Sequence, residues 1–120
     1  MKAFIRFAAI AALLGGSVQG GAQGLPGGPD PVEGHRLALS LCTPCHVVAT
    51  DQELPPILDH PAPPFRTIAK RPDTTEASLK HFLLTTHSTM QPSFSMPNPG
   101  LADYQVNALV AYLMTLKNRP

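Results

Sequence analysis

Proline is the residue type that most restricts how this chain can fold. Fourteen of its 120 residues are proline, and all of them lie at or after Pro26. Five fall between Val47 and Arg71, at Pro55, Pro56, Pro61, Pro63 and Pro64. Because proline lacks a backbone N–H and clashes with the preceding helical turn, it is excluded from helix interiors and central strands. The segment is therefore expected to be an extended loop, with at most one helical turn near residues 65–70.

The first 22 residues have the layout of a secretory signal peptide. Lys2 and Arg6 supply positive charge, residues 7–14 are apolar, and small residues follow as far as Ala22. This apolar run is shorter than the roughly 20 residues that a transmembrane helix needs, although an uncleaved anchor remains the alternative. Cleavage after Ala22 would leave 98 residues and no membrane span.

The mature chain is expected to have a flexible, glycine-rich leader at residues 23–29 and one domain at residues 30–120. It would carry seven Lys and Arg and eight Asp and Glu, a net charge of −1 with histidine neutral. Proteins that bind nucleic acids usually present a strongly basic surface. The composition therefore argues against a nucleic-acid partner.

The first helix is predicted to begin after Asp30. Asp30 can cap the helix, Pro31 suits its first turn, and Glu33 can reach back to the capping residue. The helix would end at about Leu41.

Two further helices are predicted, and no segment alternates with the period of a strand. Asp73 and Glu76 repeat the capping pattern before a helix at about residues 74–85. Its apolar positions are Leu79, Phe82 and Leu83. A last helix at about residues 102–117 has one apolar stripe, formed by Val106, Leu109, Val110, Leu113 and Leu116. The predicted fold is all-α, with about three helices and long proline-rich loops that can wrap a ligand.

One motif carries chemistry. Cys42-Thr43-Pro44-Cys45-His46 has the C-x-x-C-H spacing of a c-type haem attachment site. Two thiols three residues apart can each add to one haem vinyl group, while the adjacent imidazole reaches the iron. A chain of this size buries only about two-thirds of its unfolded surface, so a proline-rich one without Trp gains much from a buried cofactor. The motif therefore predicts one covalently attached haem c, with Cys42 and Cys45 as attachment residues and His46 as an iron ligand.

Three other interpretations of the two cysteines fit the sequence less well than haem. A structural disulfide would close a four-residue loop, which stabilises little, and would leave His46 unexplained. A thioredoxin-like site normally lies between a strand and a helix, whereas here a helix precedes the motif and proline loops follow. A zinc site usually needs four ligands, and the other histidines show no ligand-pair spacing. Haem is favoured over all three.

With this motif near its N-terminus, the chain resembles the class I mono-haem cytochromes c. Gly34 stands eight residues before Cys42, where the family places a glycine, and Ala111-Tyr112-Leu113 is similar to the signature of the family's C-terminal helix. The resemblance covers about residues 30–116. The chain departs from the family at Ala38, where an aromatic residue is common, and at Ala102, where Ser or Thr often caps the last helix.

The resemblance implies a fold and several contacts. The N- and C-terminal helices are expected to cross closely, with Gly34 against Tyr112. A proline carbonyl is expected to accept the Nδ1 proton of His46 and so to fix the ring. The candidates for that proline are Pro55, Pro63 and Pro64. A methionine before the C-terminal helix would be the sixth iron ligand.

Two methionines could supply that ligand. Met96 is preferred because Met96-Pro97 resembles the family's Met-Pro motif, because Pro97 holds the residue before it extended, and because residues 99–100 can turn the chain into the last helix. Met90 would then be a loop contact that shields the haem edge. A second histidine, best placed at His87, would instead give a bis-His haem of lower potential.

These features predict a periplasmic electron-transfer protein rather than an enzyme. A haem iron with six ligands binds no substrate, so the chain would carry single electrons between a dehydrogenase-type donor and an oxidase-type acceptor, as a monomer or as a subunit of a redox complex. One alternative is a dedicated haem subunit of one dehydrogenase complex. Another is a haem enzyme or gas-binding protein with an open sixth site. A basic face formed by Arg66, Lys70, Arg71 and Lys80 could dock a partner or simply be solvated.

Overall fold

The structure, a computed structural model, describes residues 28–85 and 96–120. Four helices occur in these two ranges: α1 (Pro31–Leu41), α2 (Phe65–Ala69), α3 (Glu76–Leu84) and α4 (Asp103–Lys117). Neither range contains a strand, which confirms the all-α prediction. The three predicted helices are α1, α3 and α4, and α2 is the single turn expected near residues 65–70. The predicted signal peptide and most of the leader, like His87 and Met90, lie outside the described residues.

Helix α1 begins where the sequence indicated. The carboxylate of Asp30 accepts a hydrogen bond of 2.9 Å from the backbone N–H of Val32, and Pro31 occupies the first turn. The prediction that Glu33 reaches back to the capping residue was wrong. Its carboxylate instead accepts two hydrogen bonds from the guanidinium of Arg36, at 2.6 and 2.7 Å, which lower the pKa of Glu33.

Helix α3 begins later than predicted, because another residue caps it. Thr75 is the N-cap: its hydroxyl accepts from the N–H of Ser78 at 3.1 Å, and the Ser78 hydroxyl accepts from the N–H of Thr75 at 2.9 Å. The prediction that Asp73 caps this helix was wrong. Phe82, assigned to the apolar face, is 37% exposed, so the core contacts of α3 come from its two buried leucines, Leu79 and Leu83.

The core is built around the crossing of α1 and α4. A Cβ placed on Gly34 would lie 2.8 Å from Cβ of Tyr112 and would clash with the carbonyl group of Ala108. Only glycine allows the two helices to approach this closely, so the expected contact of Gly34 with Tyr112 is confirmed. Helix α4 supplies half of the buried apolar residues: Val106, Ala108, Leu109, Val110, Tyr112, Leu113 and Leu116.

Side chains compensate for missing caps and tie the short helices to α4. Ala102 has no capping side chain, and the side-chain Oε1 of Gln105 accepts from the N–H of Ala102 at 3.0 Å instead. The ammonium of Lys117 donates to the carbonyl of Thr74 at 2.6 Å, and the Thr74 hydroxyl donates to the carbonyl of Ile68 at 2.7 Å.

Within residues 28–85 and 96–120 no helix is long and apolar enough to cross a membrane.

Candidate functional site

The end of α1 folds Cys42, Cys45 and His46 into one compact turn. The N–H of Cys42 donates to the carbonyl of Ala38 at 3.0 Å and closes the helix. The carbonyl of Cys42 then accepts from both Cys45 and His46, at 3.2 and 2.9 Å. All three predicted side chains therefore arise from a single turn against the core.

The two thiols are free and partly buried. Burial, followed by the proximity of Cys45, raises the pKa of the Cys42 thiol to about 11. Thioredoxin-like sites need the opposite, since their attacking thiol has a lowered pKa. The environment of Cys42 therefore does not fit a thiol-disulfide exchange site.

His46 is buried, at 7% exposure, and its ring is held by a backbone carbonyl. Its Nδ1 lies 2.8 Å from the carbonyl oxygen of Pro63. A carbonyl can only accept, so Nδ1 carries a proton, and in the neutral ring Nε2 presents a lone pair. Of the three candidate prolines, Pro63 is the one in place.

The second ring nitrogen of His46, Nε2, is available to bind a metal ion. Within the described residues, Nε2 has no hydrogen-bond partner, although the ring is buried. A polar atom left without a partner in the protein interior costs roughly 1–3 kcal/mol, a cost that a ligand on Nε2 would remove. Together with the two free thiols on the same turn, this unpaired nitrogen fits a covalently attached haem.

Phe65 is a site residue that sequence reasoning missed. Its ring lies against the His46 imidazole, with centroids 5.3 Å apart and planes inclined at 61°. Phe65 is buried at the start of α2, and its N–H donates to the carbonyl of Val47 at 2.9 Å. This edge-to-face contact restricts rotation of the imidazole.

The proline-rich loop is fastened to the cysteine motif by its backbone. The N–H of Ile57 donates to the carbonyl of Pro44 at 3.0 Å, and the N–H of Ala62 donates to the carbonyl of Cys45 at 2.9 Å. Prolines cannot supply these donors, so the non-proline residues of the loop do. The loop is thereby held next to the cysteines.

A side-chain hydrogen bond joins the segment after His46 to α4. The buried hydroxyl of Tyr112 donates to the carbonyl of Val48 at 2.9 Å, and burial is the main reason that the pKa of Tyr112 is raised. The same Tyr112 ring lies 5.0 Å from the His35 ring, whose Nε2 contacts the Asp51 carboxylate at 3.0 Å. The helix crossing thus supports the segment that follows His46.

Met96 is partly buried and packs against the core cluster. Gly100 follows with φ of 62°, a conformation that favours glycine, and its N–H donates to Oδ1 of Asn98 at 2.9 Å. This turn leads the chain into α4, as expected. The two competing ligands, Met90 and His87, lie outside the described residues.

A zinc centre finds no support in the described part of the chain. Within residues 28–85 and 96–120, no three His, Cys, Asp or Glu side chains are grouped so that they could hold a metal ion. Structural zinc needs four such ligands.

Comparisons with known proteins agree with this geometry. The Cytochrome c family model matches residues 31–117. Cytochrome c-552 of Bradyrhizobium diazoefficiens is 34% identical over 88 residues, which are 73% of this chain and 76% of that protein. A comparison with solved structures found no significant match.

The protein is therefore an electron-transfer c-type cytochrome with covalently bound haem c. The chain belongs to the cytochrome c family, in its class I group.

Proposed function

We propose that this cytochrome is a periplasmic mono-haem carrier that passes single electrons from a dehydrogenase-type donor to an oxidase-type acceptor. The observation that carries the proposal is the state of His46. Its Nδ1–H donates a hydrogen bond of 2.8 Å to the carbonyl oxygen of Pro63, and in the neutral ring Nε2 keeps a lone pair. Such an imidazole is prepared to bind iron and to hold it in one orientation.

Each site residue has a distinct role in this proposal. Cys42 and Cys45 attach the haem, His46 is the proximal ligand, and Met96 is the sixth ligand. The bound haem supplies a one-electron iron couple. Pro63 and Phe65 orient the imidazole, and a thioether ligand in a dry pocket raises the reduction potential.

Occupation of both axial positions by protein side chains favours a carrier over an enzyme. With His46 and Met96 both bound to it, the haem iron would have no open position for a substrate or a gas. Electron-transfer encounters are also small and transient, so a large permanent interface is not needed.

Carbon monoxide binding tests the ligation. The reduced wild-type protein is expected to keep its spectrum under carbon monoxide. If His46 and Met96 are the two protein ligands, Met96→Ala removes one of them, so the reduced variant should bind carbon monoxide. A reduced wild-type protein that binds carbon monoxide at once would point to the gas-binding alternative.

The proposed localisation rests on the N-terminal residues. Residues 1–22 are the proposed signal peptide, residues 23–29 the leader and residues 30–120 the cytochrome domain. Mass analysis of the haem-bearing protein should find an N-terminus at Gln23 in a periplasmic fraction. Haem-bearing protein that retains Met1 would contradict cleavage.

The donor and acceptor can be sought in the same fraction. Affinity capture with mass spectrometry would supply candidates, and reduction kinetics with each purified candidate would rank them. Size-exclusion chromatography of the native extract separates a free carrier, which elutes as a monomer, from a dedicated subunit, which elutes with one dehydrogenase.

A further inference from the structure

Charged residues are distributed unevenly around the proposed haem site. Residues 37–65, which include Cys42 and His46, contain no Lys or Arg and three acidic residues, Asp51, Glu53 and Asp59. Residues 81–102, which include Met96, contain no Asp, Glu, Lys or Arg. The two segments that hold the proposed haem ligands therefore carry only negative formal charge.

All three acidic residues belong to one loop, residues 51–59, here called the acidic loop. It lies beside the attachment motif, because Ile57 donates to the carbonyl of Pro44 at 3.0 Å. Gln52 fixes the start of the loop: its side-chain oxygen accepts from the N–H of Val48 at 2.9 Å, and its amide donates to the carbonyl of Leu54 at 2.6 Å. These hydrogen bonds thus hold the acidic loop in place next to the cysteines.

The acidic loop also exposes large apolar side chains. Leu54 is 75% exposed and Ile57 is 81% exposed, and Leu58 is exposed beside them. Glu53 and Asp59 flank these three residues in the sequence and are exposed as well. Large apolar side chains exposed on a loop that is held in place and flanked by charged residues are typical of an interaction site.

We propose that the acidic loop is the surface on which the electron-transfer partner docks, and that the partner presents an apolar patch bordered by Lys or Arg. The inference rests on the proposed function and adds the chemistry of the partner. Electron transfer falls off steeply with distance, so a productive partner must approach the attached haem. Complementary charge steers that approach and fixes its orientation.

The alternative docking surface is the basic face defined above. Its residues Arg66, Lys70 and Arg71 are exposed on α2 and directly after it. Unlike the acidic loop, the segment that carries them has no backbone hydrogen bond to residues 42–46 among the described residues. That face would select an acidic partner, so the two possibilities predict opposite salt dependences.

Two small redox reagents distinguish the sign of the charge where electrons leave the protein. Tris(phenanthroline)cobalt(III) is a cation with apolar ligands, and hexacyanoferrate(III) is an anion. Stopped-flow oxidation of the reduced holoprotein gives a rate constant for each reagent at a series of ionic strengths. The cobalt rate constant is expected to fall with added salt and the cyanoferrate rate constant to rise, because salt screens attraction and repulsion alike.

Charge reversal on the acidic loop should invert this pattern. In Glu53→Lys/Asp59→Lys, the cobalt rate constant at low salt is expected to drop about tenfold and to rise with added salt. Asp51 is left unchanged because it contacts His35. The matched control is Asp73→Lys/Glu76→Lys, which changes the net charge equally at two exposed acids at the start of α3. It should keep the wild-type sign of salt dependence.

Removing the apolar contact should act differently. Ile57→Ser is expected to lower the cobalt rate constant severalfold without changing its salt dependence, while Leu84→Ser, at an exposed leucine on α3, leaves it unchanged. If Ile57→Ser alters the haem spectrum and leaves the rate constant unchanged, the side chain covers haem and the docking proposal is overturned.

The remaining outcomes also decide between the two proposals. Equal effects of the two double variants would mean that net charge alone acts, and the docking surface would be rejected. A cobalt rate constant that rises with salt in the wild type would favour the basic face and overturn the inference alone. A holoprotein that reacts with neither reagent would contradict the electron-carrier function itself.

Discussion

The Nδ1 of His46 donates to the carbonyl oxygen of Pro63 across 2.8 Å and 17 residues of chain. This one bond links the attachment motif to the end of the proline-rich loop. It also decides which ring nitrogen is available, because Pro63 can only accept. The loop therefore does more than connect helices, since its carbonyl favours the tautomer of His46 with the proton on Nδ1.

Phe65 should tune the haem through this histidine. Phe65→Leu removes the ring that lies 5.3 Å from the imidazole and is expected to cost about 1–2 kcal/mol of unfolding free energy. Because the imidazole gains rotational freedom, the reduction potential and the electron paramagnetic resonance g values of the oxidised protein should shift as well.

Ile68→Ala in the same helix is the control for Phe65→Leu. It removes a partly buried side chain that has no ring contact with His46, so it should lower stability and leave the g values unchanged. Equal spectroscopic effects in the two variants would mean that Phe65 acts only through packing.

Gly34→Ala should destabilise the protein although alanine is the better helix former. Alanine in an exposed helix position would stabilise by up to about 1 kcal/mol relative to glycine. At Gly34 the added methyl group meets Ala108 and Tyr112, so we expect a loss of about 1–3 kcal/mol.

Denaturant unfolding of the holoprotein measures the effect of Gly34→Ala, with Gly100→Ala as control. At Gly100, no atom of the described residues lies within 4 Å of an added Cβ, so the expected cost is that of the positive φ, about 1 kcal/mol. An unchanged or raised stability of Gly34→Ala would show that the helices do not cross as described.

Asp51 should make stability depend on pH below neutrality. The hydrogen bond from His35 lowers the pKa of the Asp51 carboxyl. A carboxyl with a lowered folded pKa contributes stability above its unfolded value, about 3.9, and loses it as pH falls through the folded value. The unfolding free energy of the wild type should therefore fall more steeply below about pH 4 than that of Asp51→Asn.

Asp59→Asn provides the comparison for Asp51. The carboxylate of Asp59 is exposed, and the described residues provide it with no hydrogen bond or ion pair. Asp59→Asn should therefore keep the steep fall in unfolding free energy that the wild type shows at acid pH. If Asp51→Asn also keeps that steep fall, the contact with His35 does not contribute to stability in solution.

Local signals explain why parts of the fold could be predicted from sequence. The Asp30-Pro31 start, the apolar stripe of α4 and the C-x-x-C-H motif each act within a few residues, and the structure has α1, α4 and the turn of the motif where they were expected. At α3 two competent caps stand two residues apart. Thr75 prevails over Asp73 because Ser78 returns its hydrogen bond.

Contacts between distant residues could not be predicted in this way. The sequence offered three prolines for His46, and only the path of the loop selects Pro63. Phe65 meets His46 because its N–H pairs with Val47, which no spacing rule indicates. The contact of Asp51 with His35, 16 residues apart, likewise depends on how the segment after His46 returns along α1.

The sixth ligand is the proposed assignment that most needs a direct comparison. Met96→Ala should lose the weak long-wavelength band of a sulfur–iron bond in the oxidised protein, and its reduced form should bind carbon monoxide. Met90→Ala should keep the band and exclude the gas. The reverse result would assign the ligand to Met90. A wild type that lacks the band, with carbon monoxide still excluded in both variants, would favour His87.

Covalent attachment of haem at Cys42 and Cys45 is the central claim, and intact mass under denaturing conditions tests it most directly. The protein is expressed in a strain with working haem-attachment machinery, beside the variant Cys42→Ala/Cys45→Ala. The account predicts the mass of the polypeptide from Gln23 to Pro120 plus one haem for the wild type, and the polypeptide alone for the variant. A wild-type mass of the polypeptide alone, or a variant that still retains one haem, would contradict it.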